Sequence, residues 1–157
     1  MTNIITLETI QARQDELVAM IAAFNAAKTT INLPAITIEL RPGEHYAGLV
    51  LRDDGAPSHH LVLMATRPAQ RMPWRQAKDW VLSINGAQPT PHEAVLIHVH
   101  CRNYIEPGGY WLSEASEHDP AYAWVYYFST GSQYWIQKFS EARAIAVRRI
   151  PIGGQDE

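Results

Sequence analysis

Eleven of the chain's fifteen Phe, Trp and Tyr residues fall between Tyr104 and Phe139, in 36 positions that also carry Gly, Ser, Asp and His. Tyr and Trp offer large, rigid contact area with a polar tip that tolerates water. So dense a run predicts core and recognition surface built from one segment. Tyr122–Phe128 and Gln133–Phe139 flank Ser129-Thr130-Gly131-Ser132, which reads as a hairpin. In the first of these runs Trp124, Tyr126 and Phe128 share one face, and Val125 and Tyr127 share the other. With both faces apolar, both are expected to be covered in part. Tyr110–Glu114 reads as a strand after Pro107-Gly108-Gly109, and Ile145 and Val147 belong to a final strand.

The other end of the chain has a different period. Residues 7–28 read as one helix, with Thr6 as cap and Glu8 in the first turn. Leu7, Ile10, Gln14, Leu17, Ile21 and Phe24 recur at alternating spacings of three and four, a heptad seam with one polar member. Val18 and Met20 widen its apolar face. Such a helix either packs on its own domain or bundles identical subunits. The seam favours bundling, with Gln14 available to fix register and copy number. Pro34 then stops any helix. The expected divisions are an oligomerisation helix over 1–30, a linker and first strand over 31–43, a folded domain over 44–152 and a polar tail over 153–157.

Within the domain, Ile36–Leu40 alternates like a strand, and Tyr46–Leu51 and His60–Ala65 form a hairpin around a longer loop. Pro73 is expected at the first position of a helix that buries Trp74, Ala77, Val81 and Ile84, with Gly86 as its left-handed cap. Thr90-Pro91-His92-Glu93 makes a capping box for a second helix, whose buried side comes from Ala94 to Val99. Two helices and several short strands make the fold class α+β.

Charge and cysteine content exclude several functions. A net charge of −3 carries no basic stripe for nucleic acid. Arg143, Arg148 and Arg149 read as the solvated side of the last strand. Cys101 stands alone, so neither an internal disulfide nor a cysteine-based zinc site can form. The first residues lack a basic start and a long apolar run, so no signal peptide is expected and synthesis is placed in the cytoplasm. No window reaches 18 apolar residues, so no membrane insertion is expected.

No catalytic centre, metal or cofactor is expected. On a helix His98 and His100 point about 200° apart and cannot chelate together. Cys101 reads as a small buried hydrophobe, and Ser113 has no nucleophile elbow around it. The expected ligand surface is Tyr104, Tyr110, Tyr122 and Tyr134, with Glu117, His118 and Asp119 in an exposed loop over 115–121. Trp111, Trp124 and Trp135 are assigned to the core.

Five short motifs occur in order between residues 44 and 150. They are Trp74…Ala77…Trp80, then Gly86…Gln88-Pro89-Thr90…Glu93, then Tyr110-Trp111-Leu112-Ser113-Glu114, then Ala123-Trp124…Phe128-Ser129…Gly131, and Ala146-Val147-Arg148. Together they resemble the C-terminal domain family of the collagen-like adhesin Lcl, a C-type-lectin-like family, with Gln88 where the family usually has Leu. Gly43-Glu44-His45-Tyr46-Ala47-Gly48-Leu49 is similar to the start of members often encoded by phages and prophages. The resemblance implies a C-type-lectin-like domain in which N- and C-terminal strands pair, two helices flank them, and a Trp-rich second sheet carries a long-loop binding surface. Pro89, Thr90, Glu93, Trp111, Ser113, Glu114, Trp124, Phe128, Gly131 and Arg148 would be its scaffold. Many members place Cys in the first helix region and before Val-Arg. This chain has none there, which weakens an extracellular assignment.

Together these readings predict a non-enzymatic, phage- or prophage-encoded module, virion-associated, that recognises a protein or glycan of the host surface or virion. The module would be displayed on a coiled-coil homo-oligomer, with a trimer favoured. The alternative is a structural or assembly component of a virion or tail with no ligand of its own.

Overall fold

The computed structural model describes residues 5–27 and 31–152. The chain divides into two units, Met1–Asn32 and Leu33–Glu157.

The first unit is built on α1 (Leu7–Ala27). Thr6 and Thr9 cap its start reciprocally. The Thr9 amide donates to Thr6 Oγ1 at 3.3 Å, and the Thr6 amide donates to Thr9 Oγ1 at 3.0 Å. That satisfies two of the amides a helix start leaves without intrahelical partners. Leu7, Ile10, Leu17, Val18, Met20, Ile21 and Phe24 are all more than half exposed. Residues 28–30, the expected end of this helix, and the tail from 153 lie outside the described residues.

The second unit is α+β. Its described elements are β1 (His45–Leu51), β2 (Pro57–Leu63), α2 (Trp74–Ser83), α3 (Pro91–Cys101), a short 3-10 turn (Arg102–Tyr104), β3 (Gly109–Ala115), β4 (Tyr122–Tyr127), β5 (Ser132–Gln137) and β6 (Val147–Pro151). They form two antiparallel sheets, ordered β1-β2-β6 and β3-β4-β5. The last strand therefore returns to pair with the second, Leu63 facing Val147 and His59 facing Pro151. β1 lies on the other side of β2 and has no direct pairing with β6.

β3 and β4 are covered on both faces, because their alternate residues enter different cores. Leu112 and Tyr126 join Ala94, Ile97 and Cys101 of α3, with Leu61, Leu63 and Phe128, in one cluster. Trp111 and Val125 join Ala77 of α2, with Ala123, Ala142 and Ala144, in the other. Trp111 is 0% exposed, and its indole donates to Met72 O at 2.7 Å. A buried ring of about 200 Å² stabilises by about 5 kcal/mol at about 25 cal/mol per Å². The Trp74 indole donates to Leu112 O at 2.8 Å, tying the start of α2 to β3. Phe128 sits in the turn after β4 yet is buried, packed on Tyr126, Tyr110 and His98. Gly131 takes φ +77° in that turn, and its amide donates to Tyr127 O at 2.8 Å.

Several expectations need correcting. Residues 36–40 form no strand. Their alternation instead lays Ile36, Ile38 and Leu40 beside Tyr46 and His60. Pro73 is the cap of α2 and not its first residue, with extended backbone at ψ 156°. Asn85, not Gly86, takes the left-handed conformation after α2, at φ 57°. Gly86 is needed for closeness, since a Cβ there would lie 2.8 Å from Met64 Sδ and 2.9 Å from Ala146 Cβ. Val95 and Val99 of α3 are exposed, while Ala94, Ile97 and Cys101 are its buried face. Ile145 is buried but precedes β6.

Candidate functional site

The arginines of β6 are not simply solvated. Alternation puts Arg148 and Arg149 on opposite faces of the strand, and each grips a buried carboxylate. Arg149 donates from Nε to Glu93 Oε1 at 2.6 Å and from Nη2 to Oε2 at 2.8 Å. Glu93 also accepts from the Thr90 amide at 2.8 Å, completing the capping box, and lies 2.8 Å from His59 Nε2. A carboxylate has no proton to offer, so His59 carries its hydrogen on Nε2 here. Burial works to raise the Glu93 carboxyl's pKa. The Arg149, Thr90 and His59 hydrogen bonds outweigh it and hold the group below its ordinary value.

Arg148 repeats the arrangement with Glu44, donating from Nη2 to Oε2 at 2.6 Å and from Nε to Oε1 at 3.3 Å. The Arg41 amide adds a bond at 2.9 Å. Burial again pushes the Glu44 carboxyl up, and the Arg148 and Arg41 bonds bring it below the usual range. Arg148 Nη2 also donates to Glu39 O at 3.0 Å, which holds the extended 36–40 segment in place. Both pairs are scaffold. They pin β6 to the start of α3 and to the entry of β1.

The second sheet presents the surface aromatics. β5 is its edge, paired only with β4. In that register Trp124 faces Trp135 and Tyr122 faces Gln137, one face of the sheet. Trp124 and Trp135 meet edge to face with centroids 4.9 Å apart, and the His118 ring lies 6.0 Å from Trp135. Trp135 is 47% exposed, not core, and Trp124 is half-buried. Tyr134 points to the other face, packs edge to face on Tyr127 and is 56% exposed. Tyr122 is half-buried beside Gln137, whose amide reaches its hydroxyl at 3.4 Å.

The 115–121 loop that brings His118 to Trp135 is held by its own side chains. Ser116 is buried and its Oγ accepts from the His118 amide at 3.2 Å. Asp119 Oδ1 accepts from the Ala121 amide at 2.9 Å. Asp119 is thus used for the turn, while Glu117 and His118 are exposed.

Two other expected surface tyrosines lie elsewhere. Tyr110 is buried in the core, and its hydroxyl donates to Glu106 O at 2.9 Å. Its alternation partner Trp111 faces the second core, so neither side of β3 was open at that point. Tyr104 is exposed and stacks on His45 with centroids 3.5 Å apart and planes 7° from parallel. Among the scaffold residues, Pro89 and Phe128 are buried, the Ser113 amide donates to Pro89 O at 2.9 Å, and Glu114 is exposed.

Trp135 was missed because edge position depends on strand order. Counting outward from Ser129–Ser132 would set Trp135 opposite Tyr126, whereas the strands close one residue earlier, Tyr127 facing Ser132, which sets it opposite Trp124.

The histidines of α3 diverge, as helical geometry requires. His98 packs between Tyr126 and Phe128, while His100 approaches Gly48. Cys101 is buried, and burial pushes its thiol pKa up, which makes it a poor nucleophile. Among the described residues no three His, Cys, Asp or Glu side chains converge as a metal site requires. No helix among them is long and apolar enough to cross a membrane. No protein-family model matches this chain, and no curated protein sequence matches it.

Proposed function

We propose that the chain is a lectin-like binding module that recognises a protein or glycan ligand through the aromatic face of its second sheet and is displayed on a helix-bundled homo-oligomer. The half-exposed Trp135, braced by Trp124 and flanked by His118, is the observation that carries the binding reading. A rigid indole held by its neighbours loses little entropy when it meets a partner, and such rings dominate contact energies. The topology supports the lectin-like reading. A C-terminal strand returns to the first hairpin, two helices separate the sheets in sequence, and Trp111, Trp124 and Trp135 all fall in the second sheet.

The exposed seam of α1 supports assembly. Leu7, Ile10, Leu17 and Ile21 leave apolar area in water that bundling with identical helices would bury. Three linked copies would raise a weak single-site affinity through effective concentration. The same helix would also serve a structural part of a phage particle. Electron microscopy that finds the chain sealed inside a virion favours that second reading.

Binding to an array of glycans and phage-host surface extracts tests recognition. Wild-type chain is expected to bind a subset, and the Trp135→Ala variant to lose it while keeping its thermal midpoint. Equal binding by both proteins refutes the aromatic face, and no binding by either refutes recognition.

A further inference from the structure

A second concave site lies on different elements. Arg67 and Arg71, from the connection between β2 and α2, line a cavity of about 530 Å³ together with Tyr104, Glu106 and Arg143. Three arginines and one glutamate line it, an excess of positive charge in a chain whose net charge is −3.

The charges are unevenly matched. Glu106 is taken by Arg143, Nη1 to Oε2 at 2.6 Å. The Arg143 backbone is fixed beside β3, with its amide on Gly109 O and its carbonyl on the Trp111 amide, both at 3.0 Å. Arg143 Nε is buried without a hydrogen-bond partner. Arg67 is half-buried, and among the described residues its guanidinium donates only to the neutral carbonyls of Met64 and Thr66. Burial lowers the Arg67 pKa, the sign of a cation that has lost water without gaining a carboxylate. Arg71 is exposed at the rim. A desolvated cation gains most from an anion that can reach it, and guanidinium groups fit planar and tetrahedral oxyanions through paired N–H donors.

The wall adds an aromatic platform. His45 covers one face of the Tyr104 ring, and the residue is 56% exposed. Tyr104 lines the cavity, so a ring braced on one side by His45 borders it. An arginine cluster beside a pre-stacked ring selects for charge and flatness together.

The geometry points to this cavity as a binding site for a small oxyanion, a phosphate monoester or carboxylate, carried on a flat ring that lies on Tyr104. It goes beyond the recognition reading and uses none of the Trp135 face.

Calorimetric titration of the full chain with phenyl phosphate, benzoate, inorganic phosphate and phenol tests it. Phenyl phosphate or benzoate is expected to bind saturably, and whichever is tighter identifies the oxyanion. Phenol should give no saturable heat, and inorganic phosphate should bind more weakly than phenyl phosphate. Arg71→Ala removes one charge-assisted donor and is expected to weaken the ring-bearing anion about tenfold. Tyr104→Ala should reduce phenyl phosphate to the level of inorganic phosphate. Trp135→Ala should change nothing, which separates this site from the aromatic face. The inference is overturned if neither ring-bearing anion binds, or if Arg71→Ala and Tyr104→Ala both bind as wild type does.

Discussion

Glu93 accepts both arms of the Arg149 guanidinium, at 2.6 and 2.8 Å, while its own side chain is 1% exposed. One carboxylate thus caps α3, anchors β6 and faces His59 of β2. Breaking a buried pair by removing one partner leaves an uncompensated charge and costs about 3–5 kcal/mol. Arg149→Met is expected to lower stability by that amount in urea unfolding. The double variant Glu93→Leu, Arg149→Met removes both charges and is expected to recover all but about 1 kcal/mol, the residue being the lost cap. A double variant no more stable than the single one contradicts this.

The same carboxylates set an acid limit. Glu93 and Glu44 both titrate below their ordinary value of 4.5 in the folded chain. The unfolded chain therefore takes up their protons first as pH falls. Their contribution is fully present above pH 4.5 and is lost as pH drops through the folded values. Urea midpoints measured from pH 7 downward are expected to hold to about pH 5 and then to fall. Glu93→Gln should flatten that fall, and an unchanged slope would remove Glu93 as a cause.

Trp111 combines packing with one polar bond. Trp111→Phe keeps much of the ring but leaves Met72 O without its indole donor. The expected loss is about 1–3 kcal/mol, from the unpaired buried carbonyl and the small void. Thermal unfolding measures it, and a neutral substitution would show that Met72 O finds another partner.

Gly86 is a steric requirement. A Cβ there lies under 3 Å from both Met64 Sδ and Ala146 Cβ, and Ala146 cannot swing away. Gly86→Ala is expected to cost about 1–3 kcal/mol by overpacking. Asn85→Gly relieves a left-handed backbone at φ 57° and is expected to be neutral or slightly stabilising. The reverse ranking in chemical denaturation would remove both the steric limit at Gly86 and the strain at Asn85.

Local signals were legible where one short segment settles the outcome. The capping box at Thr90 and Glu93 and the turn at Gly131 needed no tertiary information. The double coverage of Trp124 to Phe128 also followed from alternation alone. What escaped depends on which strands become neighbours. Ile36–Leu40 has a strand's pattern but joins neither edge of β1-β2-β6, and its alternation serves a side-by-side contact with Tyr46 and His60. Trp135 reads like a core ring until β5 is known to be an edge. Arg148 and Arg149 look solvated because their carboxylates, Glu44 and Glu93, are more than fifty residues away in sequence. The Arg67, Arg71 and Arg143 cavity is assembled from three separate connections and has no sequence motif.

Sedimentation equilibrium of the full chain at micromolar concentration asks most directly whether α1 displays the module in multiple copies. Display predicts a species of three times the 17.7 kDa chain mass, collapsing to a single chain when Leu17 and Ile21 are both replaced by Asp. A wild-type chain that sediments at 17.7 kDa throughout contradicts it.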